Sequence, residues 1–266
     1  MEYINEQWIA ANVHHRNLNG HKKTFGHVLV IAGTSGTAGA SILCARAALH
    51  SGCGMVTAMI PNEAVQILLN TSPELMYLPQ GDISEYDLSK YDAIVIGPGM
   101  GFSDQVKNNV KQVLSQFNGP VILDADALTI ISATPTLLKS NHIITPHPGE
   151  FARIQGFAYD ENNRVGQALD FVEKYLPILV LKGAGTILAS RENELMVNTT
   201  GNDGMATAGS GDVLAGIIAS LCAQGYRPFI AAAIGVYFHG LAGDMAIKEI
   251  SKASLVASDL IYYLGR

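Results

Sequence analysis

Short apolar runs of strand length alternate with segments of helical periodicity along almost the whole chain. The runs are His27–Ala32, Met55–Ile60, Leu75–Leu78, Ala93–Ile96, Val121–Leu123, Ile143–Ile144, Ile178–Lys182, Thr186–Ala189 and Leu195–Val197. Strands that alternate with helices predict an α/β fold, with a mostly parallel central sheet flanked by helices on both faces. The last two runs are instead typical of a hairpin around Arg191–Asn193.

Helical patterns fill the intervals between these runs. Residues 1–24 are polar and predict a short N-terminal helix and an arm over the domain. The other predicted helices are one ending near Ser51, Glu63–Asn70, Asp104–Gln116, Glu150–Gln155, Asn163–Tyr175, one from Ser210–Asp212 to Gly225, Pro228–Ile250 and Ser254–Leu264. Since no linker or repeat interrupts the alternation, we expect one domain over residues 1–266, which is long enough to bury a large core.

Charge and cysteine content argue against several classes of function. The formal net charge is −6 with no cluster of lysine and arginine, so nucleic-acid binding is not expected. Cys44, Cys53 and Cys222 lie in apolar segments, which predicts reduced core cysteines in a cytoplasmic protein. The N-terminus lacks the apolar region of a signal peptide, and the apolar runs Leu214–Ala223 and Phe229–Phe238 are too short to span a membrane.

A polar, glycine-rich stretch, Asn198–Asp212, runs directly into an apolar helical pattern. A helix that starts near Ser210–Asp212 directs unpaired N–H groups and the positive end of its dipole at this stretch, which favours a bound anion. Gly209 and Gly211 lack Cβ atoms, so a phosphate can approach the backbone closely. Asp212 is then a candidate base in phosphoryl-group chemistry. Gly-x-Gly-Asp arises by chance in roughly one such chain in ten. Whether it marks a phosphate site therefore depends on the rest of the sequence.

Five further loops follow predicted strands and would share the carboxyl edge of the sheet, where ligands bind in open α/β folds. They contain Gly33, Gly97–Gly101, Asp124–Asp126, His147 and Lys182–Gly185. A Walker A sequence is absent, and so is Gly-x-Gly-x-x-Gly after the first strand. These absences argue against P-loop NTPases and Rossmann dehydrogenases.

Two of these loops carry charges suited to nucleotide phosphates. Lys182–Thr186 combines a cation, a flexible backbone and a hydroxyl group, which suits nucleotide contacts, although a tight turn between strands is the alternative. Asp124 and Asp126 are candidates to face phosphates or to hold Mg²⁺ through water. A structural role at the end of the strand, where these carboxylates would cap the backbone, is an equally good interpretation of both residues.

Histidines and one glutamate give less specific signals. His147 is held between two prolines in a stiff loop at the ligand edge, so we expect it to contact ligand. Glu150 is a second candidate to hold Mg²⁺ through water, or it favours the N-terminus of the following helix. His239 lies inside an apolar helix and is expected to be a core residue with satisfied hydrogen bonds.

Taken in order, six motifs resemble those of the ADP/ATP-dependent NAD(P)H-hydrate dehydratases, repair enzymes with a ribokinase-like fold. They are Gly26-His27-Val28 with Gly33-Thr34-Ser35-Gly36-Thr37-Ala38-Gly39-Ala40, Gly97-Pro98-Gly99-Met100-Gly101, Asp124-Ala125-Asp126-Ala127-Leu128, Thr145-Pro146-His147-Pro148-Gly149-Glu150, Lys182-Gly183-Ala184-Gly185-Thr186 and Gly209-Ser210-Gly211-Asp212. The resemblance covers nearly all of the chain from about residue 20. Some members carry a fused N-terminal epimerase domain, and this chain resembles the stand-alone dehydratase.

The resemblance implies a reaction and a role for individual residues. The reaction is dehydration of the (6S)-hydrate of NADH or NADPH (NADHX or NADPHX), coupled to hydrolysis of ADP or ATP with Mg²⁺. The hydrated nucleotide would contact Ala40, Gly101, His147 and Asp212, and Asp212 would be the base. The adenine nucleotide would contact Lys182, Gly183, Ala184, Gly185, Thr186, Gly209 and Gly211. A homotetramer and a functional partnership with a separate NAD(P)H-hydrate epimerase are also implied.

Two other functions fit the same loops. A ribokinase-like small-molecule kinase, of the hydroxyethylthiazole or pyrimidine kinase type, would share the fold and Asp212 but would release a phosphorylated product. A non-catalytic nucleotide sensor would need the loops but not Asp212.

Overall fold

A ten-stranded sheet runs through the structure, a computed structural model that describes residues 1–14, 16–192 and 194–265. The strands are β1 (Glu2–Ile4), β2 (His27–Ile31), β3 (Met55–Ile60), β4 (Met76–Pro79), β5 (Ala93–Ile96), β6 (Val121–Leu123), β7 (His142–Ile144), β8 (Ile178–Leu181), β9 (Ile187–Ala189) and β10 (Leu195–Asn198). They lie in the order β1-β10-β9-β8-β7-β6-β5-β2-β3-β4. Neighbours pair in parallel, except that β9 runs antiparallel to β8 and β10. The mostly parallel sheet and the β9–β10 hairpin are thus confirmed, although Asn193 in its predicted turn lies outside the described residues.

The order of the strands reverses beside β2. The chain passes from β2 to β3 and β4 on one side, and β5 then returns to pair with β2 on its other side. Loops that leave β2 and β5 therefore diverge, and the crevice between them is where an open α/β sheet binds its ligands. Gly33 is the second residue of the loop after β2, and Gly97 is the first residue of the loop after β5.

Helices cover both faces of the sheet, as predicted. They are α1 (Glu6–Asn12), α2 (Ala38–His50), α3 (Val65–Thr71), α4 (Asp104–Gln116), α5 (Asp126–Ile131), α6 (Pro148–Gln155), α7 (Arg164–Tyr175), α8 (Ser210–Ala223), α9 (Pro228–Ala246) and α10 (Ala257–Tyr263). In β2, Val28 and Val30 pack into the core shared with α2, α8, α9 and α10, whereas Leu29 and Ile31 pack into the core shared with α4 to α7. Burial on both faces explains why the parallel strands are continuous apolar runs.

Helix α8 lies across the centre of the sheet and presents its N-terminus to the ligand edge. It packs on α2 and α9 and contacts β2, β5 and β6. Gly216 allows the close approach to α2, since a Cβ there would lie 2.2 Å from the carbonyl oxygen of Cys44. The tight packing holds Ser210 and Asp212, in the first turn of α8, in a fixed position.

Helix α9 corrects one expectation drawn from the sequence. With 19 residues, α9 is long and apolar enough by length and composition to cross a membrane, contrary to the sequence-based expectation that no such segment exists. Of its most apolar window, however, 72% is buried inside the fold. Its apolar side chains pack against α8, α10 and the strands from β7 to β10.

The three cysteines are buried and free, as predicted.

Short elements and helix ends account for the other differences. The N-terminal segment forms a strand, β1, beside β10, as well as the expected helix. Only Ile4 of its three residues is buried, so no alternating pattern was available to predict it. Helix α5 was also missed, because its six residues are too few to show helical periodicity. The penultimate helix ends at Ala246 rather than near Ile250.

Candidate active site

A cavity of about 860 Å³ opens at the carboxyl edge of the sheet. Its walls come from the β8–β9 turn, the segment between β10 and α8, the first turns of α6 and α8, and the middle of α9. Its lining residues are His147, Pro148, Lys182, Gly183, Ala184, Gly185, Thr186, Asn198, Thr199, Thr200, Gly201, Asn202, Asp203, Met205, Ala206, Thr207, Ser210, Gly211, Leu214, Val236, His239 and Gly240. The volume is within the range that small-molecule and cofactor sites occupy.

The segment between β10 and α8 is tied to α9 by a set of hydrogen bonds. The Asp244 carboxylate accepts from the N–H of Gly201 at 2.8 Å and from Nδ2 of Asn202 at 2.9 Å. Thr200 Oγ1 donates to the carbonyl oxygen of Tyr237 at 2.8 Å. These bonds make a polar, glycine-rich segment into a fixed wall of the cavity.

Gly209 forms the junction between this segment and α8. Its φ of +87° lies in the left-handed region, which a residue with a Cβ rarely adopts. A Cβ would also lie 2.5 Å from Cδ1 of Leu43. Gly209 is therefore required by backbone conformation and packing, independently of any contact with phosphate. The N-cap of α8 has no side-chain hydrogen bond, so the first N–H groups of this helix have no capping side chain.

Lys182 and Asp124 form a buried ion pair beside the first turn of α8. Lys182 Nζ donates to Oδ1 of Asp124 at 2.9 Å, and Thr145 Oγ1 donates to the same oxygen at 2.8 Å. Burial opposes the charge of Lys182, but the Asp124 and Glu150 carboxylates outweigh it and raise the pKa of the ammonium group. Lys182 is therefore a permanent cation at the cavity wall.

Gly211 lies directly against this ion pair. A Cβ on Gly211 would be 3.1 Å from Lys182 Nζ and 3.5 Å from Oδ2 of Asp124. The absence of a side chain leaves this space open between the cation and the N-terminus of α8. An anion that enters it would meet both the ammonium group and the helix dipole.

Asp212 follows Gly211 in the first turn of α8, and its carboxylate has a raised pKa. Burial raises its pKa to about 7; the negative charge of Asp124 adds to the increase, and Lys182 opposes it. Asp126 contributes a smaller increase of the same sign. A carboxylate with a pKa near 7 can accept a proton at neutral pH, which is the property that a general base needs.

His147 and Glu150 form the N-terminus of α6. The His147 Nδ1 accepts from the N–H of Gly149 at 3.0 Å, and Glu150 Oε2 accepts from the N–H of His147 at 2.9 Å. This reciprocal capping box is the structural alternative foreseen for Glu150. The Glu150 carboxylate also lies 3.9 Å from Lys182 Nζ. His147 lines the cavity with a side chain that is 57% exposed, so its ring is accessible to a ligand.

The loops after β2, β5 and β6 meet at the crevice beside this cavity. The Thr37 hydroxyl donates to the carbonyl oxygen of Gly99 at 2.6 Å, and the N–H of Gly101 donates to Oδ2 of Asp126 at 2.8 Å. Ala40 is adjacent, because a Cβ on Gly99 would lie 3.4 Å from its methyl group. Ala40 and Gly101 thus lie together in this crevice, outside the lining of the 860 Å³ cavity.

Backbone strain accompanies the paired aspartates at the end of β6. Ala125, between Asp124 and Asp126, has φ +49° and ψ −115°, an unfavourable conformation for a residue with a side chain. Such a residue costs on the order of 1–3 kcal/mol and persists where its surroundings hold it. Here the Asp124 and Asp126 side chains are held by Lys182 and by the backbone of Gly101.

Sequence reasoning missed several cavity residues. His239 was expected to be a core histidine, but it lines the cavity and its Nε2 lies 3.2 Å from the hydroxyl of Ser210. Burial lowers its pKa to about 4, so the imidazole is neutral at physiological pH. A histidine inside an otherwise apolar helix was the available signal. The sequence indicates a polar, glycine-rich stretch from Asn198 onward, but it predicts ligand contacts only for residues 209–212. The lining residues between Asn198 and Thr207 were not predicted.

The carboxylates near Lys182 could contact the waters around a Mg²⁺ ion but could not enclose the ion by themselves. Within residues 1–14, 16–192 and 194–265, no group of three or more His, Cys, Asp or Glu side chains could hold a metal by itself. Asp124 Oδ1 already binds Lys182 and Thr145, whereas Oδ2 faces the space beside Gly211. Oxygen donors of this kind suit Mg²⁺ that is carried by phosphates and keeps its waters.

Comparison with known proteins gives a consistent result. Residues 28–266 match the family model described as NAD(P)H-hydrate dehydratase. The chain is 32% identical over 266 residues to the ADP-dependent (S)-NAD(P)H-hydrate dehydratase of Bacillus subtilis, a match that covers 98% of this chain and 95% of that protein. It is 38% identical over 274 residues to the bifunctional NAD(P)H-hydrate repair enzyme of Moorella thermoacetica, covering 97% of this chain and 52% of that enzyme. The chain spans about half the length of the bifunctional relatives that it matches.

A solved structure extends the likeness to three dimensions. The ADP/ATP-dependent NAD(P)H-hydrate dehydratase from Bacillus subtilis, co-crystallised with ATP and Mg²⁺, superposes with a TM-score of 0.89 at 30% identity. The match covers 99% of this chain and 96% of that one, and it confirms the ribokinase-like fold that the motifs implied. Because the family model matches nearly the whole chain and this structure shares its fold, the chain belongs to the NAD(P)H-hydrate dehydratase family.

Proposed function

We propose that this chain dehydrates (6S)-NADHX or NADPHX to NADH or NADPH, using ADP or ATP as the phosphoryl donor. The observation that carries the proposal is Asp212, a carboxylate with a pKa of about 7 that directly follows the cavity residue Gly211 and lies within range of the charges of Lys182, Asp124 and Asp126. Relatives that match almost the full chain bear this activity in their names.

The two substrates are assigned to the two sides of Asp212. The adenine nucleotide occupies the cavity, against the lining residues Lys182, Gly183, Ala184, Gly185, Thr186 and Gly211. Gly209 lies behind this lining, at the N-cap of α8, and the proposal extends the nucleotide contact to it. The hydrated nicotinamide enters the crevice, where it contacts Ala40, Gly101 and Asp212, and it also contacts His147 at the wall of the cavity. This arrangement is supported by Gly211, which lies between Lys182 on the cavity side and Asp212 in the same helical turn. The terminal phosphate would therefore end beside the base.

In the first step the hydroxyl oxygen of the hydrate attacks the terminal phosphorus of the nucleotide. Its proton passes to a carboxylate oxygen of Asp212, and the bond between the terminal phosphorus and the bridging oxygen breaks to release AMP or ADP. Lys182 and the N–H groups of the first turn of α8 stabilise the charge on the phosphoryl oxygens. In such a transfer, positioning and charge stabilisation supply most of the catalysis.

In the second step the ring carbon loses phosphate. The lone pair of the ring nitrogen forms a C=N bond as the C–O bond to phosphate breaks, and the neighbouring carbon then loses a proton to restore the dihydropyridine. Hydroxide is a poor leaving group and phosphate is a good one, so phosphorylation is what makes the elimination possible. The net change is loss of water from the hydrate and hydrolysis of one phosphoanhydride.

Mg²⁺ is part of the proposal as a companion of the nucleotide phosphates. It would neutralise phosphate charge when bound. Asp124, through Oδ2, and Glu150 are the residues that would contact its water shell, because both carboxylates lie beside Lys182. The Bacillus subtilis dehydratase was co-crystallised with ATP and Mg²⁺, which supports Mg²⁺ as the companion of the nucleotide.

Domain structure, assembly and location complete the proposal. We infer a single domain over residues 1–266, supported by the one sheet that joins strands from β1 to β10.

A homotetramer is proposed from the family resemblance. Exposed apolar side chains on α3 and β4 offer area for subunit contacts: Ile67, Leu69, Met76 and Tyr77. The bifunctional relatives support a functional link with an epimerase. A cytoplasmic location, with no membrane or nucleic-acid partner, follows from the metabolite-repair role and the acidic charge.

One assay tests the function against its alternatives. The protein is incubated with (6S)-NADHX or NADPHX, Mg²⁺ and either ADP or ATP, and the absorbance of the reduced nicotinamide is followed. Recovery of absorbance with one phosphate released per NADH supports the dehydratase. Accumulation of a stable phosphorylated hydrate would indicate a kinase, and nucleotide binding without any turnover would indicate a sensor.

A further inference from the structure

Arg164, the first residue of α7, contacts the loop of residues 182–186, which we call the nucleotide loop, from outside the cavity. Its Nη1 donates to the carbonyl oxygen of Ala184 at 3.0 Å, and its Nη2 donates to that of Gly185 at 3.3 Å. Both acceptors line the cavity, whereas Arg164 is not among the lining residues. One planar guanidinium thus holds two successive carbonyl groups of the loop, a geometry that a lysine cannot reproduce.

These contacts fix the orientation of the peptide between Ala184 and Gly185. Gly185 has φ +63°, the conformation of the third position of a type II turn. The central peptide of such a turn can flip, which exchanges the directions of its carbonyl and N–H groups. Because the two groups of a trans peptide point in opposite directions, a carbonyl held by Arg164 directs the Gly185 N–H away from the guanidinium.

The Gly185 N–H is available to a ligand in this orientation. It donates to no acceptor among residues 1–14, 16–192 and 194–265. By contrast, the Thr186 hydroxyl is engaged within the turn, donating to the carbonyl oxygen of Gly183 at 3.1 Å. The loop therefore presents a free donor on the side where Ala184 and Gly185 line the cavity.

We propose that Arg164 is a positioning residue for nucleotide recognition: it holds the Ala184–Gly185 peptide so that the Gly185 N–H donates to an acceptor atom of the adenine nucleotide. The inference rests on the proposed function, in which the nucleotide occupies this cavity. Arg164 itself touches no reacting atom, so its loss affects nucleotide affinity and leaves the chemical step intact. Its ion pair with Glu161, at 3.2 Å, steadies the guanidinium from the solvent side.

The test compares Arg164→Ala, Arg164→Lys and Arg153→Ala with the wild type. ADP binding is measured by calorimetry with Mg²⁺ and without hydrate, and kcat and both KM values are measured in the dehydratase assay. Arg153 is the matched control, because its guanidinium binds the Thr129 hydroxyl and not the loop. Thermal unfolding of each variant confirms that it is folded.

Arg164→Ala is expected to weaken ADP binding about tenfold, the effect of losing roughly one to two hydrogen bonds, with kcat and the KM for hydrate within twofold of wild type. Arg164→Lys is expected to restore part of the affinity, and Arg153→Ala to match the wild type. Unchanged ADP affinity in Arg164→Ala, an equal loss in Arg153→Ala, or a parallel loss of kcat would overturn the inference. Because binding is measured without hydrate, a wild type that binds ADP but does not dehydrate NADHX would contradict the proposed function alone.

Discussion

The ammonium group of Lys182 donates to the carboxylate of Asp124 across 2.9 Å, and this pair joins the carboxyl ends of β8 and β6. Asp124 is only 1% exposed, so its charge is compensated within the protein by Lys182 and Thr145. Asp212 lies close enough for the Asp124 charge to raise its pKa, and the opposing effect of Lys182 is smaller than that of burial and Asp124. One carboxylate is thus held by two side-chain hydrogen bonds inside the protein, and its neighbour, with a pKa of about 7, can exchange a proton near neutral pH.

The pH dependence of the reaction should report Asp212. The base is active when deprotonated, so kcat/KM for the hydrate is expected to rise with pH, about tenfold per unit below pH 7, and to level off above the pKa of about 7. Rates are measured at saturating ADP from pH 5 to pH 9. Asp126→Asn should move the midpoint to lower pH, because the Asp126 charge raises the pKa of Asp212. A profile that is flat between pH 5 and pH 8 would exclude Asp212 as the titrating base.

The same pKa has a consequence for stability. A carboxyl group whose folded pKa is raised to about 7 binds its proton more tightly in the folded state, so the folded protein loses stability as pH rises from about 4 to 7. Asp212→Asn removes this loss and is expected to stabilise the protein at pH 8 by up to about 4 kcal/mol. At pH 4 the variant and the wild type should be similar. Urea unfolding at the two pH values is the measurement; equal stabilities at pH 8 would contradict the raised pKa.

Breaking the Lys182–Asp124 pair should separate stability from binding. Lys182→Met leaves a buried carboxylate without its cation, which is expected to cost about 3–5 kcal/mol in unfolding free energy. The double variant Lys182→Met/Asp124→Asn has no buried charge at this position and should recover most of the stability. Both variants should bind ADP more weakly than the wild type, since both lack the ammonium group at the cavity wall. Equal unfolding free energies of the single and double variants would show that Lys182 does not stabilise the buried Asp124 carboxylate.

Removal of divalent cations should affect turnover but not the fold. The described residues contain no cluster able to hold a metal alone, so EDTA is expected to leave the melting temperature unchanged without nucleotide. With ADP present, EDTA should abolish turnover and reduce the stabilisation that the nucleotide gives. Readdition of Mg²⁺ should restore both. A fall in melting temperature on adding EDTA to the nucleotide-free protein would reveal a structural metal instead.

Much of this architecture could be predicted because its signals are local and repeated. The ends of β5, β6 and β8 were placed at the ligand edge from glycine and polar residues alone, and Lys182 and Asp124 follow two of those strands. Parallel strands buried on both faces leave no ambiguity in their apolar runs. The alternation therefore predicted the fold class, which is confirmed, and the edge of the sheet at which the cavity opens.

Other features depend on contacts that no short stretch of sequence encodes. The β1 strand is defined by pairing with β10, almost two hundred residues later in the chain. The exposure of His239 to the cavity follows from how α9 packs beside Ser210, and a pattern of apolar residues gives only the core face of such a helix. Arg164 reaches the nucleotide loop from α7 across about twenty residues of sequence. These residues become functional candidates only once the elements are packed.

The most direct test of the central claim is the turnover of Asp212→Asn compared with its ADP affinity. Asparagine keeps the size of the side chain but cannot accept the hydroxyl proton as a carboxylate does. The account predicts that kcat for NADHX falls by roughly 10²–10⁴, the typical contribution of a general base. ADP binding, measured by calorimetry with Mg²⁺, should stay within about threefold of wild type, because Lys182 and the nucleotide loop are intact. Undiminished turnover in Asp212→Asn would remove Asp212 from the role of base.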